Sequence, residues 1–302
     1  LLSGTGMQDR DCTMVGHKLF AEIADYLSSR GVAVLRTDDR GVGGSGGDYS
    51  MATTADFADD ALAAVAYLKT VNGIDPRRIG LMGHSEGGAS ATIAASQTDD
   101  VAFVVSLAGL MTDGLSSVIQ QNKDIIAATA MADDDKRRYD ALNEVMFRTA
   151  YEYAESAELD SMLYRRYDEW RAADTAEWER SHPGEVDHFR YSIYMYAMTA
   201  TSPWYRFFIR YNPAPYLSRI HVPVLALGGE KDVMVNCSQN LGNVRRLLAH
   251  NPDVTTLAFP GVNHLLLPCE TGTQEEYRNI KSNTSPEILE AVWQWLSERL
   301  HP

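Results

Sequence analysis

Residues 80–90 read GLMGHSEGGAS, and this stretch decides the fold. Gly83-His84-Ser85-Glu86-Gly87 fits the pattern G-x-S-x-G, in which a serine sits on a sharp, strained turn between a strand and a helix. The flanking glycines remove the Cβ atoms that would clash in such a turn. The turn lifts the serine hydroxyl to the carboxyl edge of a sheet, with a helix N-terminus beneath it. Five-residue matches also arise by chance, so the context matters. Here an apolar run, Ile79 to Met82, precedes the turn, and the small residues Gly88, Ala89, Ser90 and Ala91 follow it.

Working outward, the chain alternates helix-period and strand-period segments on both sides of this turn. Upstream, GHKLFAEIADYLSSRG places Leu19, Ile23, Tyr26 and Leu27 at helical spacing before Gly31. VAVLRTDD (32–39) reads as a buried parallel strand, and TADFADDALAAVAYLKTVNG as a second helix. Downstream, VAFVVSLAG is a strand. From Thr112 to Tyr211 no convincing β-run occurs, and helical patterns rich in charge and aromatics take over. Alternation resumes with the strand VPVLALGGEKD, the helix QNLGNVRRLLAHN, the strand VTTLAFPGVNH and a closing helix that starts at Ser285-Pro286. Such alternation implies a mostly parallel α/β sheet flanked by helices. The expected organisation is a core in two parts, 1–111 and 212–302, interrupted by a helical insertion at 112–211.

Composition narrows the function. The net charge of −14, from 41 acidic and 27 basic residues, repels phosphate backbones and argues against nucleic-acid partners. No apolar run approaches the roughly 20 residues a bilayer-spanning helix needs. Cys12, Cys237 and Cys269 are odd in number and far apart, with no CxxC pattern. The opening LLSG reads as the end of a buried strand, so preceding strands are expected to be missing from the chain.

A serine needs a base to become a nucleophile. In the order serine, acid, histidine, each in a loop after a strand, the chain supplies Asp232 after VPVLALGGEK and His264 after VTTLAFPGVN. His264 would take the Ser85 proton and return it to the leaving group, while Asp232 orients the ring. Glu230 is the rival acid. Asp232 is preferred because Gly228 and Gly229 end the strand and leave room for a loop. Among the other histidines, His84 orients the turn, His17 either lines the site or is structural, His221 precedes a strand at its wrong end, and the rest read as surface or cap residues.

Two glycine-rich turns invite a phosphate reading. In GTGMQD (4–9), Asp9 replaces the third glycine of a dinucleotide fingerprint. GVGGSG (41–46) matches G-x-G-x-x-G but opens no helix, so a pyrophosphate would find no helix N-terminus. Acyl transfer needs a different anion site, two backbone N–H groups for the tetrahedral oxyanion. Glu86, after the nucleophile, is one expected donor. The other comes from LLSGTGM, with Thr5 preferred and Gly6 as alternative.

The chain resembles an α/β-hydrolase of the bacterial esterase or serine-aminopeptidase-like group. The resemblance rests on SGTGMQDRD, GHKLFAEIADYL, VLRTDDRGVGGSGGDY, TTADFADDALAAVAYLK, GLMGHSEGG, SPWYRFFIRYNPAPYLSRIHVPVLALGGEKD and NHLLLPCETGTQEEYRNIKSNTSPEIL. It implies a helical cap at 112–211, a triad of Ser85, Asp232 and His264, and hydrolysis of small or medium acyl esters without a cofactor. Met7 stands where the group's first loop usually carries proline. Arg10 and Arg40 either pair with nearby aspartates or recognise an acidic substrate group. The insertion's aromatics, among them Tyr164, Trp170, Tyr196 and Trp204, pack its helices, and some are expected to line a pocket. No metal pattern is present. Two rival functions remain at this point: a peptidase or amidase with the same triad, and a catalytically idle binding protein.

Overall fold

Four apolar runs, LMGH, VVSL, VLALGG and VTTLAF, form one parallel sheet in the computed structural model, which describes residues 1–300. The chain opens with a small antiparallel hairpin, β1 (Thr13–Met14) and β2 (His17–Lys18), followed by α1 (Leu19–Ser28) and α2 (Thr54–Leu68). Next come β3 (Leu81–His84), α3 (Glu86–Ala95) and β4 (Val104–Leu107). Five helices follow: α4 (Gly114–Ala127), α5 (Asp133–Tyr153), α6 (Leu159–Ser181), α7 (Ile193–Ala200) and α8 (Pro203–Arg210). The chain returns through α9 (Ala214–Leu217) to β5 (Val224–Gly229), α10 (Cys237–Leu247), β6 (Val254–Phe259), α11 (Gln274–Tyr277) and α12 (Pro286–Leu300).

The strand order is β3-β4-β5-β6, all parallel, with Gly83 opposite Ser106, Ser106 opposite Ala226 and Leu227 opposite Leu257. The first three strands are buried along their whole length, as continuous apolar runs require, whereas β6 at the edge is only half-buried. Strand periodicity splits the side chains into two sets. Met82, Val105, Leu107, Leu225 and Leu227 join Phe20, Ile23 and Leu27 of α1 and Val292, Trp295 and Leu296 of α12 in one apolar core. Several of the alternate residues, Gly83, Ser106, Ala226 and Gly228, are small, and they let helices approach closely. A Cβ on Gly83 would lie 2.0 Å from the Gly87 carbonyl oxygen, and one on Gly88 would lie 3.2 Å from Ser106 Oγ. All ten residues of α3 are buried, which is why its sequence carries small residues on every side rather than an apolar stripe.

Two expectations about the sheet need correction. Val32–Asp39 does not enter the sheet as a regular strand. Its backbone is tied at separate points, by Leu1 N to Leu35 O at 2.8 Å and by Asp39 N to Gln8 O at 3.0 Å, and most of the segment is only partly buried. Without a continuous ladder, β-branched composition alone does not make a strand. Leu2 likewise forms a single parallel bridge to Gly83, with Leu2 N bonded to Met82 O at 2.8 Å and His84 N to Leu2 O at 3.0 Å.

The chain divides into two compact units, Leu1–Thr112 with Asn212–Pro302, and Asp113–Tyr211. The second is all helical. Its core centres on Leu142, Met146, Leu163 and Ile209, with Tyr164, Trp170, Tyr196 and Trp204 packed against them. Arg138 bridges Asp174 and Asp187 there, at 2.7 and 2.8 Å.

Candidate active site

The turn at Ser85 has the strain its sequence implies. Ser85 adopts φ 56°, ψ −124°, in positive-φ territory that non-glycine residues rarely occupy. Its carbonyl accepts from Gly88 N at 3.0 Å and Leu110 N at 2.9 Å, and its N–H donates to Leu107 O at 3.0 Å. A side chain at Gly87 would meet the Leu2 carbonyl oxygen at 2.2 Å, so the opening loop can cross the start of α3 only because this residue is glycine.

Asp232 and His264 meet in the loops after β5 and β6. His264 Nδ1 lies 2.8 Å from Asp232 Oδ2, and the acceptor-only carboxylate makes the ring nitrogen the donor. Asp232 Oδ1 accepts from the N–H groups of Met234 and Val235, both at 2.8 Å. The Asp232 side chain has no exposed surface, while Glu230 is exposed. Asn263 shapes the histidine loop by accepting from Leu265 N at 2.9 Å and Leu267 N at 3.1 Å. Leu266 beside it takes φ 60°.

Ser85 and His264 are connected through His84. The His84 Nε2 donates to the His264 carbonyl at 2.8 Å, and the two rings lie 4.8 Å apart. Burial, reinforced by repulsion from His264, lowers the His84 pKa to about 3. The ring is therefore neutral at ordinary pH, with its proton on Nε2, and its Nδ1 is buried with no partner. Among the described residues, no hydrogen bond joins the Ser85 hydroxyl directly to the His264 ring. Such contacts are often long until substrate binds.

The loop 3–8 packs on Ser85: a Cβ at Gly4 would lie 2.8 Å from Ser85 Cβ and 3.3 Å from its Oγ. Glu86 opens α3, where backbone N–H groups point out of the helix end. Its buried carboxylate accepts from Thr5 Oγ1 at 2.7 Å and Thr54 Oγ1 at 2.6 Å. Asp39 accepts from Ser3 Oγ and from Gln8 N, the latter at 3.0 Å. Burial pushes the Asp39 carboxyl up to about 6. The Gly6 N–H is already committed, donating to the Tyr49 hydroxyl at 2.9 Å, whereas no hydrogen bond within the described residues uses the Thr5 N–H.

Other candidates fall to structural roles. Arg10 makes a two-point contact with Asp38, at 3.1 and 2.7 Å, and Arg40 does the same with Asp60, at 2.8 Å for both contacts. His17 Nε2 lies 3.1 Å from the Tyr277 carbonyl. A cavity of about 710 Å³ lies beside residues 32–39, α2 and Leu296, and none of Ser85, Asp232 and His264 lines it. Among the described residues no cluster of His, Cys, Asp and Glu could hold a metal ion, and no helix is long and apolar enough to cross a membrane.

A family model described as serine aminopeptidase, S33, matches residues 16–271. Esterase EstD of Thermotoga maritima is 24% identical over 297 residues, which cover 98% of this chain and 61% of the length of EstD. Among solved structures, the Pyrococcus furiosus esterase Pf2001 matches with a TM-score of 0.55 at 16% identity, covering 99% of this chain and 80% of that one. The Paleococcus ferrophilus monoacylglycerol lipase matches with a TM-score of 0.54 at 16% identity, covering 98% and 93%. At this identity the two structures speak to the fold alone, which is that of an α/β-hydrolase.

Proposed function

Since this chain belongs to the serine aminopeptidase (S33) family of α/β-hydrolases, we propose that it is a serine hydrolase cleaving carboxylic esters of small or medium acyl groups. Ser85 Oγ attacks the ester carbonyl carbon while His264 Nε2 takes its proton. The tetrahedral intermediate collapses, the alcohol leaves with the proton from His264, and an acyl-Ser85 ester remains. Water, deprotonated by His264, then releases the acid and restores Ser85. Asp232 holds the ring through Nδ1 and stabilises the imidazolium. The N–H groups of Glu86 and Thr5 receive the oxyanion. No step calls for a cofactor.

The observation that carries this reading is the buried Asp232–His264 hydrogen bond, held at the same sheet edge as a serine at φ 56°. The test is steady-state hydrolysis of p-nitrophenyl esters of graded acyl length, beside the matching anilides. The expected result is ester turnover that falls with acyl length and exceeds amide turnover, and that drops on the order of 10⁶-fold in S85A. Faster turnover of the anilide would make the chain an amidase instead.

A further inference from the structure

The glycine-rich stretch 41–47 opens no helix and still folds into a defined object. Gly41 N donates to Gly46 O at 2.9 Å, and Ser45 N to Val42 O at 2.9 Å. The Asp38 carboxylate accepts from Gly44 N at 3.0 Å beneath the loop. A Cβ on Gly41, at φ 75°, would lie 2.9 Å from Tyr49 N, so the loop can close onto Tyr49 only with glycine at that position. Asp48 then caps a single 3-10 turn, Tyr49–Met51, by accepting from Ser50 N at 2.9 Å. The Tyr49 ring packs 5.8 Å from that of Phe57 on α2. These contacts deliver a half-buried phenol to the opening loop, where it receives the Gly6 N–H at 2.9 Å.

We propose that Tyr49 is a positioning residue for the oxyanion hole, its phenol oxygen holding Gly6 so that Thr5 supplies the remaining loop donor beside Ser85. This rests on the serine-hydrolase reading above. Two adjacent N–H groups in a flexible glycine turn could compete for the oxyanion, and occupying one of them fixes the loop's orientation. Gly6, at φ 101°, has no side chain to fix it otherwise. Thr5 is tied at the same time through its hydroxyl to Glu86. Burial, with the Glu86 and Asp39 carboxylates adding to it, pushes the Tyr49 phenol up to about 12, so it stays protonated and neutral as an acceptor.

The test is Tyr49→Phe, which keeps the ring against Phe57 and deletes only the oxygen. Phe57→Leu serves as the packing control. The expected result for Y49F is a roughly tenfold lower kcat with KM changed less than about twofold. Trifluoromethyl-ketone binding should weaken by the same tenfold factor, and amide exchange at Gly6 should become faster. F57L should lower the melting temperature while kcat stays within about twofold. A Y49F enzyme with wild-type kcat and wild-type Gly6 protection overturns the proposal. So does a Y49F chain that fails to fold, because the oxygen would then be holding the core and not the loop. If the wild type hydrolyses esters and Y49F does so equally well, the tyrosine role alone falls. If the wild type hydrolyses no ester, both readings fall.

Discussion

The Nδ1 of His264 donates to Oδ2 of Asp232 at 2.8 Å, while the other carboxylate oxygen is held by two backbone N–H groups. Both carboxylate oxygens are thereby held, and the ring carries a proton on Nδ1. Asp232→Asn is expected to lower kcat on the order of 10⁴-fold with little change in KM, because the amide can stabilise the wrong tautomer. Ester kinetics at saturating substrate check this. A loss below about tenfold would mean that another group orients the ring.

His84 predicts an acid sensitivity. Its folded pKa lies at about 3, below the unfolded value, so the unfolded chain binds the proton more readily. This group adds no penalty above about pH 6.5, and it erodes stability as pH falls from there towards 3, by roughly 1.4 kcal/mol per pH unit at most. In His84→Gln the amide can still donate to the His264 carbonyl but does not titrate. Its stability should therefore decline less than that of the wild type between pH 6.5 and 4.5, by roughly 2 kcal/mol. Urea titrations at both pH values decide, and parallel declines would refute the assignment.

Gly4 predicts a steric effect on chemistry. A methyl group there would stand 2.8 Å from Ser85 Cβ and 3.2 Å from the His84 carbonyl oxygen. Gly4→Ala must displace either the opening loop or the serine. A kcat about 10- to 100-fold lower is expected, with a stability cost of about 1–3 kcal/mol. Unchanged kcat together with an unchanged melting temperature would show that loop 3–8 does not rest on the serine.

The helical unit carries its own prediction. The Arg138 side chain is 12% exposed and bridges Asp174 and Asp187, whose side chains are 10% and 15% exposed. Arg171 also reaches both, Asp174 at 2.8 Å and Asp187 at 2.9 Å, so Arg138→Met leaves it alone to balance the two carboxylates, and a loss of about 3 kcal/mol is expected. Arg138 holds the Asp187 carboxyl well below the usual range, so this stabilisation is present above the unfolded pKa near 4 and is lost as pH falls below it. Thermal melts at pH 7 and pH 3 should therefore separate wild type from R138M more at pH 7 than at pH 3.

Contacts local in sequence were legible, and most contacts between distant segments were not. Apolar runs placed β3, β4, β5 and β6, and the glycines around Ser85 announced the turn before α3. Val32–Asp39 carries the same strand composition and yet has only scattered tethers, since a ladder depends on neighbours that composition does not encode. The Asp232–His264 contact was foreseeable from the order of the loops. The His84 bond to the His264 carbonyl spans 180 residues, and no periodicity signals it. The Gly6 N–H donates to the Tyr49 hydroxyl, 43 residues away and just after a glycine stretch that resembled a phosphate loop, and no local pattern signals that contact.

The most direct test of the central claim is covalent capture of Ser85. The intact protein is incubated with a fluorophosphonate, and the modified peptide is located by mass spectrometry. A single stoichiometric adduct on Ser85 is expected, formed at a rate that falls steeply in His264→Ala and absent in Ser85→Ala. A folded protein that hydrolyses esters while Ser85 stays unlabelled, or that labels equally well without His264, would contradict that claim.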